Sequence, residues 1–220
     1  MPDFTPEQLI EIESQLSHPT GEWGIEMGNR MNESNIPMTV NCFKALNLKP
    51  NDRVLELGHG NGGHISQLLK EAEHLKYSGI DISETMYLEA LRINEEYLIS
   101  NQVEFQLYDG VTIPYNTNTF SHVMTVNTIY FWSDFIGLLN EIYRCLKHGG
   151  VLAIAFGQKE YMKELPFVND KFSLFDTVRI RKEVDTTNFK WVEILNYEDE
   201  VFSKADTPVN RKYSILQLRK

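Results

Sequence analysis

A chain of 220 residues with 42% hydrophobic and 24% charged residues has the size and make-up of one globular domain with decorations, which excludes disorder, collagen and coiled coil. Its formal net charge of −10, with lysines and arginines scattered, argues against DNA, RNA or an anionic membrane surface as partner and favours something small or neutral. The opening MPDFTPEQLIEIESQL is acidic where a secretory signal would be basic, and no apolar run is long enough to span a bilayer, so the expected location is the cytoplasm.

The first helix is predicted from Thr5 as N-cap, Pro6 at the first helical position and Gln8 completing a capping box, with Leu9, Ile12 and Leu16 at helical spacing. His18-Pro19-Thr20-Gly21 breaks it, and a second helix is expected to start near Pro37 and carry Val40, Phe43, Ala45 and Leu46. From there the rhythm becomes strand, loop, helix. Val54–Leu57 is a strand, Ile65 to Ala72 a helix, and Tyr77–Ile82 a strand. Ser83 caps a helix running toward Ser100, and Val103, Phe105 and Leu107 alternate as a third strand. A turn-rich stretch from Gly110 to Asn118 leads to a strand over His122–Val126. A helix over Phe135–Lys147 is expected to close at Gly149-Gly150, with Lys147 and His148 at its negative end, before a fifth strand over Val151–Phe156. A helix near Thr177 to Asp185 and two strands, Trp191–Phe202 and Tyr213–Leu218, joined by a turn at Asp206-Thr207-Pro208, complete the chain. The alternation indicates an α/β domain with a parallel sheet covered on both faces. Residues 1–50 read as a helical cap or lid and residues 51–220 as the main domain.

The segment Glu56-Leu57-Gly58-His59-Gly60-Asn61-Gly62-Gly63 lies between a strand and a helix. Glycines there allow a tight turn and close approach of a ligand to the backbone, and ligands of open parallel sheets bind at the carboxyl ends of the strands. Gly58, Gly60 and Gly63 satisfy the dinucleotide pattern G-x-G-x-x-G, whereas Glu56, Gly58, Gly60 and Gly62 satisfy an acidic-x-G-x-G-x-G pattern. Asp81 ends the second strand, where a carboxylate can accept hydrogen bonds from both hydroxyls of an adenosine ribose; this fits either pattern.

Two further segments separate them. Asp109-Gly110-Val111-Thr112-Ile113-Pro114-Tyr115 resembles the D-x-x-x-L-P-F element of small-molecule class I methyltransferases dependent on S-adenosylmethionine. Glu141-Ile142-Tyr143-Arg144-Cys145-Leu146-Lys147-His148-Gly149-Gly150-Val151-Leu152 resembles their E-x-x-R-x-L-K-P-G-G-x-L segment. The chain is thus similar to the methyltransferase group of ubiquinone and menaquinone biosynthesis. It departs from the pattern at Glu56 (commonly Asp), His59 (commonly Cys or Ala) and His148 (commonly Pro).

The resemblance implies a Rossmann-like, doubly wound, seven-stranded mixed sheet ending in an antiparallel hairpin, and methyl transfer from S-adenosylmethionine to a small-molecule acceptor. It also implies roles. Gly58 and Gly60 would lie against the methionine and ribose portions, Glu56 would bind the ammonium end, and Asp81 the ribose hydroxyls. Ile82 and Met86 would flank the adenine, Asp109 beside Gly110 would accept from its amino group, and Asn127 would line the methionine part. Asn127, Tyr130, Phe131 and Trp132 are acceptor-pocket candidates, and Trp23 to Asn35, with Glu22, Met27, Asn29, Arg30, Met31 and Asn32, is a candidate lid. No general base is identified.

Alternative readings are a nicotinamide-dependent oxidoreductase and a non-catalytic binder of the same cofactor. Tyr143 and Lys147 form the Y-x-x-x-K pair of short-chain dehydrogenases, a spacing expected by chance in a chain with 10 tyrosines, and they read instead as two exposed helix residues. His59 and His64 lack a third ligand at metal spacing, so no metal is expected. Cys42 and Cys145 read as small buried hydrophobes.

Overall fold

A computed structural model describes residues 4–202 and 208–220. Five parallel strands, β1 (Arg53–Leu57), β2 (Lys76–Asp81), β3 (Val103–Leu107), β4 (Phe120–Val126) and β5 (Leu146–Gly157), are followed by β6 (Lys190–Phe202) and β7 (Pro208–Arg219). The order across the sheet is β3-β2-β1-β4-β5-β7-β6, with β7 antiparallel to both neighbours. This is the mixed seven-stranded sheet with a terminal hairpin that the sequence implies; of the expected turn, Asp206 and Thr207 lie outside the described residues, and Pro208 already begins β7.

The helices are α1 (Pro6–Ser17), α2 (Gly21–Ala45), α3 (Ile65–Leu68), α4 (Glu84–Ile93), α5 (Glu95–Ile99), α6 (Phe135–Cys145), α7 (Lys159–Met162) and α8 (Thr177–Val184), with a 3-10 turn at Ile129–Phe131. Because strand side chains alternate, each central strand feeds two cores. On one face Leu55, Leu57, Val123 and Ile154 pack with Leu138, Leu139 and Ile142 of α6 and Ile180 of α8. On the other, Val54, Met124, Ala153 and Ile215 pack with Met38, Cys42 and Phe43 of α2, Ile65 and Leu68 of α3 and Ala90 of α4. The chain passes from β1 to β2 on one side and returns to β4 on the other. A crevice therefore opens where β1 and β4 diverge, the place where such sheets bind ligands.

The capping box at Thr5 forms as expected: the Thr5 N–H donates to Gln8 Oε1 at 2.8 Å, and the Gln8 N–H donates to Thr5 Oγ1 at 3.3 Å. The second helix differs. It starts at Gly21 and runs for 25 residues, with Pro37 exposed inside it. Residues 22–36 lack a strong apolar stripe because close contact is made by glycines. A Cβ on Gly24 would meet the Pro19 backbone at 2.8 Å, and one on Gly28 would meet Met86 Sδ at 2.7 Å.

The helix after Ser83 also divides at Asn94, whose side-chain amide donates to the carbonyls of Ala90 and, under the glycine loop, Gly62. The helix from Ile65 ends at Leu68, short of Ala72. Finally, α6 ends at Cys145, and Leu146 turns extended into β5. Lys147 and His148 are therefore strand residues and do not sit at a helix end. Tyr143 and Lys147 are not helical neighbours: Tyr143 is half-buried against Phe189 and under the Lys220 ammonium. Both cysteines are buried and free.

Pro37 has no N–H to give to the carbonyl one turn back, and its ring crowds that carbonyl, a cost of about 3 kcal/mol in a helix interior. Removing it also frees the unfolded chain by up to about 1 kcal/mol. Pro37→Ala is therefore expected to stabilise the protein by about 2 kcal/mol in urea unfolding; an unchanged or lower midpoint would show that α2 is already relaxed around the proline.

Candidate active site

The glycine loop leaves β1 in a left-handed turn, with φ of 73° at Gly58 and 57° at Gly60, values that side-chain-bearing residues rarely adopt. The Gly58 N–H donates to the Ile80 carbonyl at 2.8 Å, which ties the loop to β2. Asp81, at the end of β2, then grips both sides of the crevice. Its Oδ2 accepts from the Gly60 N–H at 3.0 Å and its Oδ1 from the Ser83 N–H at 2.9 Å. Ser83 in turn caps α4, its Oγ accepting from the Met86 N–H, and donates to the Pro19 carbonyl at the α1–α2 junction. Asp81 thus also fixes the start of α4. A carboxylate has about four lone-pair directions, so two amides leave acceptor capacity on both oxygens.

Glu56 lies buried on β1, 2% exposed. The Tyr77 hydroxyl donates to its Oε2 at 2.5 Å, and His64 Nε2 lies 2.7 Å from the same oxygen. Burial and the carboxylate beside it push the Tyr77 phenol well above its ordinary value, so the tyrosine is a fixed donor. His59 is buried against Phe105 (ring centroids 4.8 Å apart), with Nδ1 2.7 Å from the Gly60 carbonyl and no hydrogen-bond partner at Nε2. Burial, opposed by Asp81 and Glu56, holds its pKa below the usual histidine value.

On the other wall, Asp109 Oδ1 accepts from the N–H groups of Thr112 (2.6 Å) and Val111 (2.8 Å), which keep its carboxyl below the usual carboxylate range. Asn127 follows β4 with φ of 58° and accepts from the Tyr130 hydroxyl at 3.0 Å. Thr128 is held by Thr125 Oγ1 at 2.5 Å and by the Trp132 indole N–H at 3.1 Å.

These walls enclose a cavity of about 550 Å³. All nine residues expected at a cofactor site, Glu56, Gly58, Gly60, Asp81, Ile82, Met86, Asp109, Gly110 and Asn127, line it. Phe131 and Trp132 join them, whereas Tyr130 faces a second chamber. Of the N-terminal segment, Gly28, Met31, Asn32 and Asn35 reach the cavity, and Asn61 donates to Asn29 at 2.9 Å across its rim. Sequence reasoning missed Asn61, His64 and Thr128. Glu56 and His64 bracket the glycine loop, a spacing that brings them together once the loop folds back.

Residues 54–150 match the model of a methyltransferase domain. Over these residues the chain is similar to the class I S-adenosylmethionine-dependent methyltransferases. Over 118 residues it is 33% identical to the uncharacterized methyltransferase YdaC of Bacillus subtilis (strain 168), a match covering 52% of this chain and 61% of that protein. Over 128 residues it is 30% identical to phosphoethanolamine N-methyltransferase 2 of Caenorhabditis elegans, covering 58% of this chain and 28% of that one. It thus spans less than two thirds of either relative. A solved S-adenosylmethionine-dependent methyltransferase from Aquifex aeolicus shares the fold, with a TM-score of 0.66 and 20% identity over 99% of this chain and 100% of that chain.

A Cβ on Gly58 would clash with Thr128 Cγ2, and Thr128 is pinned by its hydrogen bonds, whereas a Cβ on Gly60 would meet only open space. Both substitutions carry left-handed strain of roughly 1–2 kcal/mol. Gly58→Ala is expected to cost about 1–3 kcal/mol more than Gly60→Ala in urea unfolding of the protein alone. Adding Thr128→Ser, which removes Cγ2 and keeps the hydroxyl, should return most of that difference; no recovery would locate the clash elsewhere.

Proposed function

We propose that the chain transfers a methyl group from S-adenosylmethionine to a small-molecule acceptor. The observation that carries this is the cavity lining. Three carboxylates, Glu56, Asp81 and Asp109, converge on it and, among the described residues, no lysine or arginine does. Such a site suits a cofactor bearing a positive sulfur and an ammonium, and repels the phosphates of a dinucleotide. When bound, the cofactor supplies a methyl carbon already activated by that sulfur.

The placement supports the roles that the resemblance implies. Asp81, oriented by its two amide donors, accepts the ribose hydroxyls. Glu56, oriented by Tyr77 and His64, meets the ammonium end. Gly58 and Gly60 leave room for the cofactor against the backbone. Ile82 and Met86 cover the adenine, Asp109 accepts from its amino group, and Asn127 lines the methionine part. The described residues then need only hold the acceptor atom in line with the methyl carbon and keep water out; positioning of that kind contributes up to roughly 7–11 kcal/mol. Helix α2, with Met31, Asn32 and Asn35 on the cavity, is the lid that does the excluding, residues 1–50 acting as a cap on the methyltransferase domain.

A small acceptor in the cytoplasm fits the acidic chain, and no described helix is long and apolar enough to cross a membrane. Relatives whose names specify phosphoethanolamine and cycloartenol as acceptors also support a small molecule.

Calorimetric titration with S-adenosylhomocysteine, with NADH in parallel, tests the reading. Saturable binding of the first and none of the second is expected; the reverse would make the protein an oxidoreductase. Hydrogen bonds to a charged group contribute about 1.5–3 kcal/mol, so Asp81→Ala should weaken S-adenosylhomocysteine binding by about 10–100-fold. Unchanged affinity would remove Asp81 from the ribose site.

A further inference from the structure

A second chamber of about 80 Å³ opens beside the cofactor cavity and shares Leu16, Met31, Asn35, Asn127 and Phe131 with it. Its own wall is mostly apolar, including Met162, Leu165, Phe167, Phe172 and Phe202. Phe131 and Phe172 pack with ring centroids 4.9 Å apart, and Tyr130 lies 6.1 Å from Phe172. Burial lifts the Tyr161 phenol to about 12.

Tyr130 and Arg211 on this wall are committed to the protein. The Tyr130 hydroxyl donates to Asn127 and accepts from the Gly157 N–H at 2.5 Å. Arg211 is the one cation lining the chamber among the described residues, and it is buried, 4% exposed. Its Nε and Nη2 pair with both oxygens of Asp199, at 2.9 and 2.6 Å. Its Nη1 donates to the Ser34 carbonyl at 2.9 Å and to Asn35 Oδ1 at 3.3 Å. Four of the five guanidinium N–H donors are therefore taken and its charge is matched, which leaves no cation to hold a phosphate or carboxylate.

We propose that this chamber seats one end of the methyl acceptor and that the part entering it is neutral and apolar. The proposal rests on the methyl-transfer reading. An anionic acceptor would bring its charge beside Glu56, Asp81 and Asp109 with no matching cation. A cationic one would lose its water among rings and methionines, next to a guanidinium. An uncharged apolar group has no charge to desolvate on entry and covers apolar wall that otherwise faces solvent. The chamber alone is smaller than the roughly 150 Å³ cavity that accepts benzene in an engineered protein, so a ring enters it only in part and the remainder lies in the cofactor cavity, toward the methyl group.

Fluorine-detected NMR on the full chain, saturated with S-adenosylhomocysteine at pH 7, tests this with three probes of one size: 4-fluorophenol, 4-fluorobenzoate and 4-fluorobenzylammonium. The neutral phenol is expected to bind at least about 10-fold more tightly than either ion, because an unpaired charge loses more than 1.4 kcal/mol on entering such a wall. Leu165→Trp, which fills the chamber without touching the cofactor cavity, should weaken 4-fluorophenol about 10-fold and leave S-adenosylhomocysteine affinity unchanged. Phe202 is 65% exposed, so Phe202→Ala spares the core; it should weaken the phenol about 3-fold through lost apolar cover. Either ion binding as tightly as the phenol, no phenol binding, or full phenol binding by the filled variant would overturn the proposal. Failure to bind S-adenosylhomocysteine would instead remove the methyl-transfer reading beneath it.

Discussion

The carboxylate of Asp81 joins the pieces of the site. It stands at the end of β2 and takes one amide from the glycine loop after β1 and one from the residue that caps α4. Charge-assisted hydrogen bonds to a buried carboxylate contribute about 1.5–3 kcal/mol each, enough to hold a loop whose backbone otherwise prefers other conformations. Through Ser83 the same node reaches the Pro19 carbonyl, so the junction between α1 and α2 is tied to the strand ends. The Gly21 N–H adds a second tie, to Thr85 Oγ1 at 3.2 Å. The cavity therefore has a rigid floor before any ligand arrives, a condition for positioning chemistry.

Electrostatics divide the interior into two regions. In the cofactor cavity negative charge is left uncompensated by described lysines or arginines: Glu56 is oriented by a phenol and an imidazole, Asp109 by backbone amides. In the neighbouring chamber the buried guanidinium of Arg211 is matched by Asp199. One region attracts a cation and the other is electrically quiet. On the proposed reading, that contrast would separate a charged cofactor from an uncharged acceptor.

The parts of this arrangement that were readable in the sequence are local ones. Glycines at 58, 60 and 62, carboxylates at the ends of β2 and after β3, and the segment from Glu141 to Leu152 carry their meaning within a few residues, because a strand-end turn and its ligand contacts are short-range. The length of α2 was hidden, since its inner face is made by Gly24 and Gly28 against Pro19 and Met86, contacts that no hydrophobic period reports. The grip of Tyr77 and His64 on Glu56 depends on the register that sets Glu56 beside Gly79. The division of the fourth helix at Asn94 follows from a bond to Gly62 across the fold. The apolar chamber draws its wall from α1, α2, the turn after β4, the 161–172 stretch and the hairpin, so no segment announced it.

Helix α2 belongs to both regions. Asn29 accepts from Asn61 beside the larger cavity, and about one turn and a half later Asn35 accepts from Arg211 beside the smaller one. Met31 lies between them and lines both cavities. One helix therefore contributes to the walls of both cavities. The fold sets the middle of this 25-residue helix over the crevice and anchors its C-terminal half in the core through Met38, Cys42 and Phe43.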